Sequence, residues 1–535
     1  MTQPMTQPID QPMTQPMTQP TFHAINPATG QALDPPIIEA TTSDVDVAAD
    51  AAQKAFEQTL DLPPRWPADL LDSIAGKIMD LGDALLDRGE VETALPRARL
   101  VGERGRTTSQ IKMFAQIVRE GSWVEAVIDT AEPERKPAPR PDLRRMLRPR
   151  GPVAVFGASN FPFAFGAVGG DTASALAAGC PVIVKGHPSH PGTSALFVEA
   201  VRDAVKERGL PAAVFALLQG RSHELSAALV RHRAITAVGF TGSLKAGRAL
   251  FDLAASRPDP IPVYAEMGSV NPIVLLPGAL GARGEAIARD LSGSVLLGGG
   301  QFCTKPGLIF TIGDDSKNFV AALAKNVSPQ STCTMLNQNL RDNFRLRLSR
   351  MAEVPGVNPV AQGQPFSFAG MSPSLLETDA ATWARSHELH EEAFGPAALV
   401  VHCKDADEAL ACIESLAGNL TGTVHVGAGD ESAARKIIHA LEEKVGRVIV
   451  NGYPTGVEVN NAIVHGGPYP ATTDPGSTSV GAAAIRRWVR LIAYQDTPDA
   501  LLPPALQNAN PLRIERVIDG VRTRGAVGEK GSGTT

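Results

Sequence analysis

The sequence predicts an α/β protein whose domains are built on doubly wound, mostly parallel sheets. From Gly151 onward, short β-branched runs recur at PVAVFG (152–157), PVIVKG (181–186), AVFALLQG (213–220) and AITAVGF (234–240), starting about 20 to 30 residues apart, as βαβ units require. Between the second and third lies GTSALFVEAVRDAVKERG, where Leu196, Ala200, Val201, Ala204 and Val205 recur at helical spacing. Gly209 supplies its stop and Pro211 prevents continuation, so the segment reads as an amphipathic crossover helix. A second series follows, with strands at PIVLLP (272–277), GLIFTI (307–312), ALVVHC (398–403) and RVIVNG (447–452) and a helical stretch around Ala282–Leu297. Two such domains are expected, and 535 residues are too many for one small core.

Outside these domains the chain begins MTQPMTQPIDQPMTQPMTQP, a four-residue repeat with little able to pack, expected to be a disordered leader within which Met5, Met13 or Met17 could be the true start. The C-terminal RGAVGEKGSGTT is expected to be a loose tail. Hydrophobic residues at 43% and charged residues at 20% fit a soluble globular protein. A net charge of −6 gives no basic field for nucleic acid or an anionic membrane, so neither is expected as a partner. The apolar stretch from Val153 to Val184 is interrupted by Asn160, Asp171 and glycines, and reads as buried strands and helices instead of a membrane span. The five cysteines show no C-x-x-C pair of the kind used for structural zinc or a redox disulfide, which suits a reducing cytoplasm.

One of those cysteines, Cys303 in GGGQFCTKPG (298–307), sits where the helical stretch gives way to glycines. Glycines at 298–300 let the chain turn with little side-chain obstruction and could present both the sulfur and the peptide N–H of Cys303 to one cavity. Alone, a free cysteine reads more readily as a small buried hydrophobe. Three further motifs change that balance. FGASNFPFAF sets Asn160 at the end of a strand, FTGS (240–243) places a turn ahead of the helix LKAGRALFDLAA, and VYAEMGSVNPIVLL puts Glu266 just before a glycine and a buried strand.

In this order and at these separations, the four motifs resemble the aldehyde dehydrogenase superfamily over about Phe22 to Leu506. The resemblance implies a cofactor domain (21–135 and 152–265), a catalytic domain (266–481), an oligomerisation arm (136–151 and 482–500) and a C-terminal extension and tail (501–535). It implies a homodimer or homotetramer. Cys303 matches the family's nucleophile, Asn160 the amide that stabilises the oxyanion with the Cys303 N–H, and Glu266 the base that activates water against the thioester. Gly242 and Ser243 match the turn whose helix N-terminus faces the pyrophosphate, in place of a G-x-G-x-x-G fingerprint. Lys185 matches the lysine on the adenosine ribose, and Glu392 and Phe394 in EEAFGP match the residues that hold the nicotinamide ribose and ring.

NAD-preferring relatives carry a glutamate three residues beyond that lysine, where this chain has Pro188; with the repulsion gone and Lys185, His187 and Arg221 nearby, NADP is expected and NAD use stays open. Within the superfamily, GGDTASALAAGCPVIVKGHPSHPGT, HGGPYPATTDPGSTSVG (465–481) and RRWVRLIAYQDTPDALLPPAL resemble members that oxidise 2,5-dioxovalerate, and a bacterial fatty-aldehyde dehydrogenase shares the set. A dicarboxylate-like substrate needs a cation away from the nucleophile, and a fatty aldehyde needs an apolar tunnel. Arg106, on one helical face with Gln110 where the family has its substrate entrance, is the candidate cation, with a solvated helix arginine as the alternative. A CoA-acylating enzyme of the same fold is a competing reading, against which Glu266 stands.

Overall fold

The structure, a computed structural model, describes residues 19–328, 333–362 and 369–529. The expected leader falls outside the described residues up to position 18, and so does the end of the expected tail from 530.

The first domain holds a five-stranded sheet, all parallel, in the order Phe215–Leu218, Val182–Lys185, Val153–Phe156, Ala237–Thr241, Val263–Glu266. Successive side chains of a strand point to opposite faces. Accordingly Val153, Val155, Val182 and Val184 join one hydrophobic cluster, and Ala154, Phe156 and Ile183 join another across the sheet. The unbroken apolar runs thus belong to strands covered on both faces. Burying each Val, Ile or Phe in this way contributes about 1.5–3 kcal/mol. The crossover helix is Pro191–Glu207, with proline in its first turn, Phe197, Ala200, Val201, Ala204 and Val205 buried, and Gly209 at φ +63° beyond its end. Chain order reverses between Val153–Phe156 and Ala237–Thr241, and a ligand crevice forms at the carboxyl ends of strands around such a switch point.

The second domain holds seven strands in the order Asn358–Gln362, Ser374–Asp379, Ala397–Cys403, Leu308–Ile312, Ile273–Leu275, Asn419–His425, Val445–Val450, all parallel except the first. Asn419–His425 lies next to the edge strand Val445–Val450 and is buried along its whole length despite its polar sequence, NLTGTVH. Its Asn419 Oδ1 accepts from the backbone N–H groups of Val270 (2.8 Å) and Asn271 (3.3 Å), which is how a buried polar strand is satisfied.

A third sheet pairs Leu143–Pro149 with Val489–Gln495 over seven residues in register. It also takes in Val127–Asp129 and a hairpin of Arg516–Ile518 with Val521–Thr523, beyond the 136–151 and 482–500 limits expected for the arm. The start of the expected loose tail is held as well. The carbonyls of Arg524 and Gly525 accept from Asn510 Nδ2 and Arg516 Nη2, and Val527 N donates to Asn508 O. Buried Asn510 and Arg516, remote in motif terms, are what anchor a glycine-rich segment that local pattern reads as free. Among the described residues no helix is long and apolar enough to cross a membrane.

Candidate active site

Cys303 follows three successive glycines in the left-handed region, Gly298, Gly299 and Gly300, at φ +57°, +69° and +66°. Such a run strains any L side chain. It ends the helix Pro277–Leu296 and turns the chain into the cysteine loop. The loop is pinned by Asn271, whose Nδ2 donates to the carbonyls of Cys303 (2.9 Å) and Lys305 (3.0 Å). Asn271 comes from the segment just after Glu266 and is itself held by Ser269, whose Oγ donates to Asn271 Oδ1 (2.9 Å).

Cys303 Sγ lies 3.2 Å from His465 Nε2, and His465 Nδ1 lies 3.2 Å from Glu266 Oε2 without hydrogen-bond alignment. Ser479 Oγ donates to the same Glu266 oxygen. Glu266 ends a strand, its backbone held by Gly242 N (3.0 Å) and by a bridge to Thr472. Burial dominates the electrostatics. It pushes the Cys303 thiol well up, with the Glu266 and Glu392 charges adding to the effect and Arg106 opposing it. Burial pushes the Glu266 carboxyl up to about 7, against the pull of Ser479 and Arg487. It pushes His465 down to about 3, helped by Arg447, Arg106 and Arg487. The imidazole is therefore held neutral, and its protonated form is disfavoured.

His465 and Ser479 were not among the sequence candidates, although both fall inside HGGPYPATTDPGSTSVG. The only signal was that phrase as a whole. Nothing local marks a histidine before two glycines as a partner of a cysteine 162 residues away.

Asn160 lies against the cysteine loop, its Nδ2 donating to Gln301 O at 3.0 Å. Above Cys303 opens a cavity of about 340 Å³ lined by Arg99, Arg106, Phe161, Phe165, Phe302 and His465 among others. The Arg106 guanidinium stands 5.2 Å over the Phe165 ring, with a buried Nη1 that has no partner. Arg99 lies between Phe161 and Phe302 at 4.5 and 4.6 Å, its Nε 3.6 Å from Glu103 Oε2. The helix Arg97–Glu120 supplies both arginines and Glu103.

Lys185 ends its strand buried, and burial pushes its ammonium down to about 8 while the Glu39 charge opposes this. Ser243 caps the helix Leu244–Ala255 by accepting from Ala246 N at 3.3 Å. Glu392 Oε2 stands 2.8 Å from where a side chain on Gly268 would begin, so a side chain there would displace the carboxylate. Its Oε1 is buried without a partner, and burial raises its carboxyl, with Lys305 opposing. Lys305, itself buried, donates to Ala393 O (3.0 Å) and Ala397 O (2.9 Å) and ties the turn carrying Glu392 and half-buried Phe394 to the cysteine loop. The orphaned Glu392 oxygen and the open helix N-terminus at Ser243 suit a polyhydroxylated, anionic dinucleotide lying along the carboxyl edge of the first sheet.

A doubly wound domain and a seven-stranded domain that meet at a half-buried cysteine define a recognisable class, and the sequence comparisons agree with it. The model of the aldehyde dehydrogenase family matches residues 14–469, and the chain belongs to that family. It is 49% identical over 503 residues to alpha-ketoglutaric semialdehyde dehydrogenase 2 of Azospirillum brasilense, covering 94% of this chain and 96% of that one. It is 44% identical over 507 residues to alpha-ketoglutaric semialdehyde dehydrogenase of Acinetobacter baylyi, with coverage of 94% and 96%. Among solved structures it is similar to betaine aldehyde dehydrogenase from Staphylococcus aureus, in complex with NAD+, at a TM-score of 0.76 and 20% identity over 89% of this chain and 94% of that one.

Proposed function

We propose that this chain oxidises 2,5-dioxovalerate (alpha-ketoglutaric semialdehyde) to 2-oxoglutarate with a nicotinamide dinucleotide, through a thioester on Cys303. The observation that carries the reading is the line of half-buried Cys303 with buried His465 and Glu266 beside a cavity that also holds Arg99 and Arg106. The two relatives named for this semialdehyde support it.

In this reading the Cys303 thiol gives up its proton by way of the neighbouring Glu266 carboxylate, which passes it on to solvent and is left ionised, and the sulfur adds to the aldehyde carbon. The carbonyl oxygen becomes an oxyanion, stabilised by the Cys303 N–H and the Asn160 amide; one such donor is worth roughly 3–4 kcal/mol. Glu392 and Phe394 would hold the nicotinamide end of the dinucleotide, whose chemistry would be to take up the hydride released from the former aldehyde carbon. Glu266 then takes a proton from water, the water oxygen bonds to the thioester carbon, and the C–S bond breaks to release the acid and restore the thiol. Arg106, with an unpartnered buried Nη1, takes the substrate carboxylate at the far end of the cavity.

Lys185, Gly242, Ser243, Glu392 and Phe394 would hold the cofactor. NADP is the proposed cofactor because Pro188 offers no charge against a 2′-phosphate and Lys185 and Arg221 stand near. The enzyme is read as cytoplasmic and as a homo-oligomer built on the third sheet. Oxidation of 2,5-dioxovalerate, succinic semialdehyde and a long-chain aldehyde, each with NAD and NADP and with or without CoA, tests the assignment. Highest kcat/KM on 2,5-dioxovalerate with a free acid as product is expected. A higher value on the long-chain aldehyde, or an acyl-CoA product, overturns it.

A further inference from the structure

At the adenosine end the loop after Lys185 carries no carboxylate, yet one is supplied from elsewhere. Glu39 follows the strand Ala32–Ile38 and is held by its neighbours: its N–H donates to Pro20 O (2.8 Å), and Ala40 N donates to Gln219 O (2.7 Å). These bonds fasten the N-terminal segment to the turn after Phe215–Leu218. There Glu39 Oε1 accepts from both the backbone N–H (3.1 Å) and the Nε (3.3 Å) of Arg221. The Glu39 side chain is only 17% exposed, while that of Arg221 is 64% exposed, 5.4 Å over the Phe22 ring. The pair sits at the carboxyl end of the strand next to the one that ends in Lys185, and the Glu39 charge acts on Lys185 directly.

We propose that Glu39 is the specificity-determining acid of this enzyme: it holds Arg221 as a counter-ion, so that a 2′-phosphate must compete with a resident carboxylate for that guanidinium. This rests on the reading of Lys185 as an adenosine-ribose contact. The consequence is a restrained preference for NADP. Arg221 attracts the phosphate and Glu39 repels it, whereas the ribose 2′-OH of NAD can donate to the Glu39 carboxylate. A carboxylate fixed by a main-chain N–H does not swing away, so its repulsion is built in.

Calorimetric titration of the apoenzyme with NADP+, NAD+, 2′,5′-ADP and 5′-AMP tests this without turnover. Glu39→Gln is expected to tighten NADP+ and 2′,5′-ADP roughly tenfold relative to NAD+ and 5′-AMP. Adding Arg221→Ala to Glu39→Gln is expected to remove most of that gain, leaving the part due to relieved repulsion. An NADP+/NAD+ ratio in Glu39→Gln within twofold of the parent's overturns the proposal, as does a gain that the second substitution leaves undiminished. Lys185→Ala separates the two levels. If it weakens every ligand while Glu39→Gln changes no ratio, only the role of Glu39 fails; if Lys185→Ala changes nothing, the adenosine reading fails and the role of Glu39 with it.

Discussion

The two ends of the crevice handle charge in opposite ways. Around Cys303 the ionisable groups are buried, and burial drives each toward its neutral form: the thiol and the Glu266 carboxyl go up, and the His465 imidazole goes down. At the proposed adenosine end Glu39 and Arg221 form a partly solvated ion pair. The difference matches the tasks proposed for each end. A site that takes a proton from water benefits from a carboxyl such as Glu266 poised near 7, and a site that recognises a fixed anion benefits from an ion pair at the surface. Lys185 stands between the regimes, buried yet acted on by Glu39.

Substitutions that remove a group from the buried end break this contrast most strongly. Cys303→Ala is expected to lower turnover by at least roughly 10³-fold while leaving dinucleotide binding intact, checked by steady-state rates and calorimetry. Cys180, Cys333, Cys403 and Cys412 changed to Ala are expected to stay within a few-fold. Glu266→Gln is expected to give one equivalent of reduced cofactor and then stall, with steady-state turnover down about 10²–10⁴-fold and an acyl adduct on Cys303 by mass spectrometry. Normal turnover with no adduct would remove Glu266 from the chemistry.

Because burial raises the Glu266 carboxyl to about 7, only the carboxylate form, which dominates above that pH, can accept the water proton. Deacylation in single-turnover experiments is therefore expected to fall as pH drops through about 7, and a rate flat from pH 6 to 8 would contradict the assignment. His465→Gln is expected to slow acylation by no more than roughly 10-fold in single-turnover experiments, since the sulfur loses a 3.2 Å positioning contact and keeps the Glu266 carboxylate beside it.

At the charged end the effects are smaller and sharpen the comparison. Lys185→Ala is expected to cost about 1.5–3 kcal/mol of cofactor binding, more for NADP than for NAD, as read by calorimetry. Equal loss with both cofactors would mean that Lys185 does not sense the phosphate.

The sequence by itself determined the strands that carry these groups. Runs such as PVAVFG, PVIVKG and GLIFTI announce their strands because two-sided burial requires continuous apolar residues, a local property of the chain. Cys303 and Glu266 were legible only through the resemblance of their motifs to the family, since a lone cysteine after glycines reads more readily as a small buried hydrophobe. His465, Ser479, Asn271 and Glu39 were decided only by tertiary structure. Each acts across the fold: His465 reaches Cys303 over 162 positions, Ser479 reaches Glu266 over 213, and Glu39 reaches Arg221 over 182. The strand NLTGTVH escaped for the same reason, since its polar residues are buried against partners on another strand's loop. Periodicity and turn chemistry are written in neighbouring residues, but a hydrogen bond between distant segments exists only once the sheets have fixed where those segments meet.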